Sequence, residues 1–310
     1  MVIMDNENGV PAERTKEYDE FGPWIMDIPE PDMMPALFKP FYHETEDPDM
    51  LFKIPRRIER RAASPLMDLY DYVIGAFGEY LYILKRNGKK VSEKKVAYYK
   101  IVAVKRTHDI LKGELSIFLP DELICIAYNT VSDDIILNLI RIIQEKQAGS
   151  ERPLLLMESL PVQYEPRKNG SMDLYYVNLC EKLNSVNSEL RLKAYQPGVS
   201  IGNHPAKFFH RLLFKKVRMT RSAFMSDGRI LTVIGSDMTA RVRSVDKLAY
   251  YYLFIGIAGI NDARIADFNM KLGLKKLEIY AARHTFEFIF DSENERMNQL
   301  AAQLRAKQIR

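Results

Sequence analysis

Two stretches of this chain, residues 111 to 147 and 272 to 307, follow one plan about 160 residues apart. The first runs from Leu111-Lys112-Gly113 into alternating Leu115 to Leu119, turns at Pro120-Asp121-Glu122, and continues as the strand-like residues 123 to 128. A polar break at residues 129 to 134 precedes apolar residues at helical spacing, Ile136, Leu139, Ile140 and Ile143. The second runs from Leu272-Gly273 through Leu277 to Tyr280, turns near Ala281 to His284, and continues as residues 285 to 290. A polar break and the helix pattern Met297, Leu300, Ala301, Leu304 close it. Leu115 and Tyr128 are thirteen positions apart, as are Leu277 and Phe290. A recurring strand–strand–helix unit constrains the chain to two small domains of one kind.

The length allows this. With 310 residues and 47% hydrophobic content, the chain can fill two cores of roughly 100 to 150 residues each. The near-apolar run from 248 to 260 is too short for a membrane-spanning helix of roughly 20 residues and is rich in aromatics, so it reads as buried strand. The opening residues lack the basic and apolar regions of a secretory signal. Cys125, in a strand pattern, and Cys180, in a helix pattern, read as buried thiols of a reducing compartment. The expected location is cytoplasmic, with peripheral attachment at the inner membrane face as its extension.

Residues 1 to 63 read as an N-terminal strap. Pro29, Pro31, Pro35 and Pro40 forbid a long helix, while Phe21, Trp24 and Phe38 need cover, so the segment is expected to lie extended on a folded domain or to dock on another subunit. Arg56, Arg57, Arg60 and Arg61 around Ile54, Ile58 and Ala62 suggest a short basic amphipathic helix. Strand patterns follow from residue 71, with a hairpin turn at Asn87-Gly88. The polar residues 148 to 153 make the best boundary, which gives a first domain over 64–148 and a second over 149–310 with an inserted helix near 172–190.

Charge is distributed unevenly. Residues 1 to 50 hold three basic and thirteen acidic side chains, whereas 151 to 310 hold twenty-five and sixteen. An acidic head of this kind neutralises a basic surface on the same chain or on a partner. Two cationic groups are candidates for an anionic partner: Lys85, Arg86, Lys89 and Lys90 around the hairpin turn, and Lys207, Arg211, Lys215, Lys216 and Arg218 in the basic aromatic run 206 to 221. If helical, that run also separates into a packed apolar face and a wet basic one. Trp24 and Phe38 are candidate partner anchors.

No catalytic motif, metal-ligand spacing or phosphate loop is present in the sequence, and no catalytic residue, metal or cofactor is expected. His43, His108, His204, His210 and His284 are scattered. His108 and Asp109 are neighbours in an extended segment, so their side chains are expected to point apart and to serve structure or surface. Nucleic acid is disfavoured, because Arg-Gly runs and RNA-binding sequence motifs are missing.

The order of strands and closing helix resembles tandem pleckstrin-homology-like (PH-like) domains of bacterial type. The segments carrying the resemblance are 73–84, 96–104, 115–119, 123–128 and 135–143, then 230–234, 240–245, 250–257, 277–280, 286–290 and 295–305. The resemblance implies an α+β fold of two PH-like antiparallel β-barrel or roll domains, each closed by a C-terminal amphipathic helix. It also implies a non-catalytic binding or scaffold module for a protein partner or an anionic membrane surface. An enzyme with a polar pocket between the domains, built around His210 or His284, and a structural homodimer through exposed sheet edges are the rival readings.

Overall fold

The computed structural model describes residues 15–42, 47–147, 157–164, 172–201, 216–241 and 249–306. The chain divides into two compact units, one of residues 1–100 with 127–146 and the other of 101–126 with 147–310.

The first unit begins with the short helix α1 (Lys16–Glu20), capped by the Thr15 side chain, and the two-residue strand β1 (Met26–Asp27). Strands β2 (Met50–Pro55), β3 (Tyr70–Ala76), β4 (Tyr80–Asn87) and β5 (Lys90–Ala97) follow, giving an antiparallel sheet of order β1-β2-β3-β4-β5. Phe21, Ile28, Met34 and Phe38 from the strap are buried with Leu51, Val73, Tyr82 and Leu84 of this sheet. Pro55 ends β2, and residues 60–62 form only a single 3₁₀ turn, so the basic amphipathic helix expected over 52–63 is replaced by strand and turn. The physical reason is the β3 edge, which takes the hydrogen bonds of Met50 to Pro55 and buries Phe52 and Ile54 to 0% and 1% exposure.

The next strands, β6 (Ala103–Asp109), β7 (Lys112–Phe118) and β8 (Leu123–Tyr128), form a meander that leads into helix α2 (Asp133–Gln147). Asp133 and Asp134 occupy the first turn of α2, where the helix dipole favours negative charge. Ile136, Leu139, Ile140 and Ile143 are buried on one face of α2, as its 3.6-residue apolar period requires.

The second unit adds helix α3 (Leu174–Val186), capped by Asp173, and strands β9 (Arg191–Ser200), β10 (Lys216–Ser226), β11 (Ile230–Arg241) and β12 (Tyr250–Gly256). Strands β13 (Ile260–Asn269), β14 (Leu274–Ala281) and β15 (His284–Asp291) and helix α4 (Glu295–Ala306) complete it. The segments that echo one another in sequence therefore share a local plan, β6-β7-β8-α2 and β13-β14-β15-α4. Leu300 is 0% exposed, and with Met297, Ala301 and Leu304 it joins Leu277, Phe288 and Phe290 in one core.

The sheets do not close. Among the described residues β9 to β12 continue through β6 into β7 and β8, giving a seven-stranded order β8-β7-β6-β12-β11-β10-β9, and β13-β14-β15 is a separate three-stranded sheet. Among the described residues all three sheets are open, which overturns the expectation of two PH-like barrels. The cause is the outer edge of β6. It bonds antiparallel to β12 from Ala103↔Ile255 to His108↔Tyr250. An edge consumed in that way extends a sheet laterally and does not roll back onto its own meander.

Candidate functional site

Strands β4 and β5 of the first unit form a hairpin whose tip pairs Asn87 with Lys90, and Gly88 takes the left-handed φ of +64° that the turn requires. Of the four cations read as a group, Lys85, Lys89 and Lys90 are exposed. Arg86 differs. Its Nε and Nη2 donate to Asp71 Oδ1 at 3.0 and 2.7 Å, across a sheet pair whose side chains are 18% and 33% exposed. Lys85, Lys89 and Lys90 form no ion pair among the described residues; Lys85 Nζ lies 5.8 Å from the Tyr72 ring centre. Sequence groups these cations, and structure separates one structural arginine from three available lysines.

The second cationic group is not assembled as a described surface. Lys207, Arg211 and Lys215, with His210, lie outside the described residues. Lys216 and Arg218 belong to the backbone of β10, so the C-terminal part of that run is strand rather than helix. Trp24 is 47% exposed and folds its ring over Gly22, where an added Cβ would come within 2.5 Å of Cζ2. Phe38 is 1% exposed and belongs to the core of the first unit, which leaves it no surface to offer a partner.

A second feature, missed from sequence, is a cleft of about 450 Å³ in the second unit. Its lining includes Lys105 and His108 from β6, Tyr250 and Tyr251 from β12, Phe268 from β13 and Glu287 from β15. These residues are far apart in sequence, so no motif announces them. His108 and Asp109 both border this cleft at the end of β6, and His108 shares its strand face with Arg106. His108 stacks on its cross-strand partner Tyr250 with ring centres 4.9 Å apart. Its Nδ1 lies 3.1 Å from Nη2 of Arg106, which is 0% exposed. A guanidinium only donates, so Nδ1 accepts and the neutral ring carries its proton on Nε2.

Electrostatics divides the cleft wall. Lys105 Nζ lies 4.5 Å from the Tyr251 ring centre, a cation–π distance. Glu287 is bonded to Lys276 at 2.7 Å, and Lys276 also reaches Glu278 at 2.6 Å; the two carboxylates hold the Lys276 ammonium above its ordinary range. The mixture of aromatic faces and separated charges suits an amphipathic ligand. Among the described residues no three His, Cys, Asp or Glu side chains gather as a metal would require.

The remaining candidates have structural positions. His284 Nε2 donates to the Leu119 carbonyl at 2.6 Å, pinning one hairpin turn to another within the second unit. Cys180 is buried, and burial pushes its thiol up to about 12. Cys125 is exposed, a correction to its reading as a buried thiol, because β8 is an edge strand.

No family model matches the sequence, and no curated protein matches it. One solved structure is similar, that of a DUF1696 family protein with a pleckstrin-homology domain from Shewanella loihica PV-4. It is 14% identical, covers 41% of this chain and 100% of its own, and superposes with a TM-score of 0.27. At that score the similarity assigns neither a fold nor a function. No helix among the described residues is long and apolar enough to cross a membrane.

Proposed function

We propose that this chain is a non-catalytic binding protein that attaches to an anionic surface through the β4–β5 hairpin, with phospholipid headgroups as the surface. The observation carrying this reading is the division within the hairpin. Arg86 is bound to Asp71, whereas Lys85, Lys89 and Lys90 are exposed and form no ion pair among the described residues. Forked arginines select carboxylates and phosphates in defined geometry, while lysines on flexible stems act as mobile point charges. A tip carrying the second kind matches a diffuse field of phosphates better than one docked carboxylate.

Each lysine near an anionic leaflet contributes about 1 kcal/mol. Three of them give reversible, salt-sensitive attachment. Reversing the three charges is expected to lower binding to phosphatidylcholine–phosphatidylglycerol vesicles by at least about a hundredfold. Equal binding by wild-type protein and the reversed variant would remove the proposal. An acidic protein partner is the other outcome, recognised by wild-type protein ignoring vesicles while binding an acidic polypeptide in a lysine-dependent way.

A further inference from the structure

We infer that two hairpin tips of the second unit form an apolar anchor that inserts into the headgroup–acyl boundary of a bilayer. The inference concerns residues of the second unit, whereas the lysine hairpin belongs to the first, and a force that salt does not screen. The first tip is the β6–β7 turn, where Asp109 pairs with Lys112 and only Ile110 and Leu111 lie between. They are 60% and 58% exposed. The second is the β13–β14 turn, in which Met270 and Leu272, 81% and 39% exposed, flank Lys271. Gly273, at φ +63°, closes that turn through its N–H to the Met270 carbonyl at 3.2 Å. Asp109, which precedes Ile110, and Phe268, two residues before Met270, line one cleft.

Ile110 carries the argument furthest. Its φ is +48°, in the left-handed region, and it holds the first central position of a two-residue hairpin turn. Glycine, asparagine or aspartate is the ordinary occupant of such a site, and a β-branched side chain there is an outlier that costs stability. The side chain recovers little of that cost by burial, because it projects into solvent. A residue unfavourable both to the turn and to hydration is accounted for by an apolar environment outside the chain. Met270 on the β13–β14 tip supplies a second exposed apolar side chain held by a closed 3₁₀ turn.

A bilayer interface fits better than a protein pocket for two reasons on these tips. They are convex turns that present a few side chains each, whereas a stable protein interface buries roughly 1,200 Å² or more. Lys112 and Lys271 border the apolar residues, and neither forms an ion pair among the described residues. Lysines in that position reach back to phosphates while the apolar tips go deeper. Asp109 faces Lys112 and Asp267 faces Lys275 across their strand pairs, which offsets those carboxylates.

The test uses the full chain with the native tryptophan removed by Trp24→Phe and a reporter introduced as Met270→Trp or Ile110→Trp. Vesicles of phosphatidylcholine, with and without phosphatidylglycerol, carry bromine on the upper acyl carbons. The expected result is a blue shift and bromine quenching that persist at high salt, unlike binding through the lysine hairpin. Ile110→Gly with Met270→Asn is expected to reduce partitioning at least about tenfold. Ile110→Gly alone is expected to raise Tm while weakening partitioning, an opposition that a purely structural role does not produce. Absence of quenching at both positions, or unchanged partitioning of the double variant, overturns the inference. Self-association of wild-type protein that these variants abolish, without vesicle binding, also overturns it by making the tips a protein interface.

Discussion

The Tyr251 ring lies directly across Gly235, its cross-strand neighbour, so that a Cβ on Gly235 would sit 2.1 Å from Tyr251 Cζ. The missing side chain is what lets Tyr251 lie flat against the sheet and present a face to Lys105 at the cleft wall. Gly235→Ala is therefore expected to destabilise the second unit by about 1–3 kcal/mol. Pairing it with Tyr251→Ala should recover much of that loss, since the clash then has no partner. Urea melts of the single and double variants measure this coupling.

Arg86 and its lysine neighbours should separate under mutation. Arg86→Ala removes a partly buried ion pair and is expected to cost about 1 kcal/mol of stability. Lys89→Ala and Lys90→Ala remove exposed charges and should leave stability within about 0.5 kcal/mol of wild type while weakening attachment to anionic vesicles. Denaturant titration and vesicle cosedimentation on the same proteins resolve the two roles.

The relation between local sequence and global fold follows a physical division. Periodicity locates α2 and α4 and turns Leu139 and Leu300 inward, because an amphipathic helix declares its buried face within two turns. Asn87-Gly88 likewise declares its own hairpin. Sheet partnership is not local. Nothing in residues 103–108 says that β6 will take β12 as its neighbour, and that one pairing converts the expected barrels into open sheets. The cleft was hidden for the same reason, since Lys105, Tyr251 and Glu287 meet only after three distant strands are placed. Legible signals did exist for the apolar tips: Ile110-Leu111 and Met270-Lys271-Leu272 stand where turn residues would be polar.

Lys53 gives a prediction about pH. It is 2% exposed, its Nζ donates to the Met33 carbonyl at 3.0 Å, and it lies 4.8 Å from the Tyr70 ring centre. Burial lowers its pKa from the ordinary value of 10.5, against the opposing pull of Glu20 and Glu17. Between the folded and unfolded values the unfolded chain holds the proton more tightly, so stability rises with pH across that window. Below the window the cost of the buried charge is complete. Lys53→Met is expected to raise stability at neutral pH by about 1 kcal/mol and to abolish the alkaline rise. Thermal melts of both proteins from neutral pH to pH 10.5 check the sign.

Binding to phosphatidylcholine–phosphatidylglycerol vesicles, titrated against salt for wild-type protein and for the Lys85→Glu, Lys89→Glu, Lys90→Glu variant, tests the proposed function most directly. Wild-type affinity should fall steeply as salt rises, and the variant should bind at least about a hundredfold more weakly at low salt with a flattened salt response. A variant that retains wild-type affinity and the same salt slope would contradict the proposal.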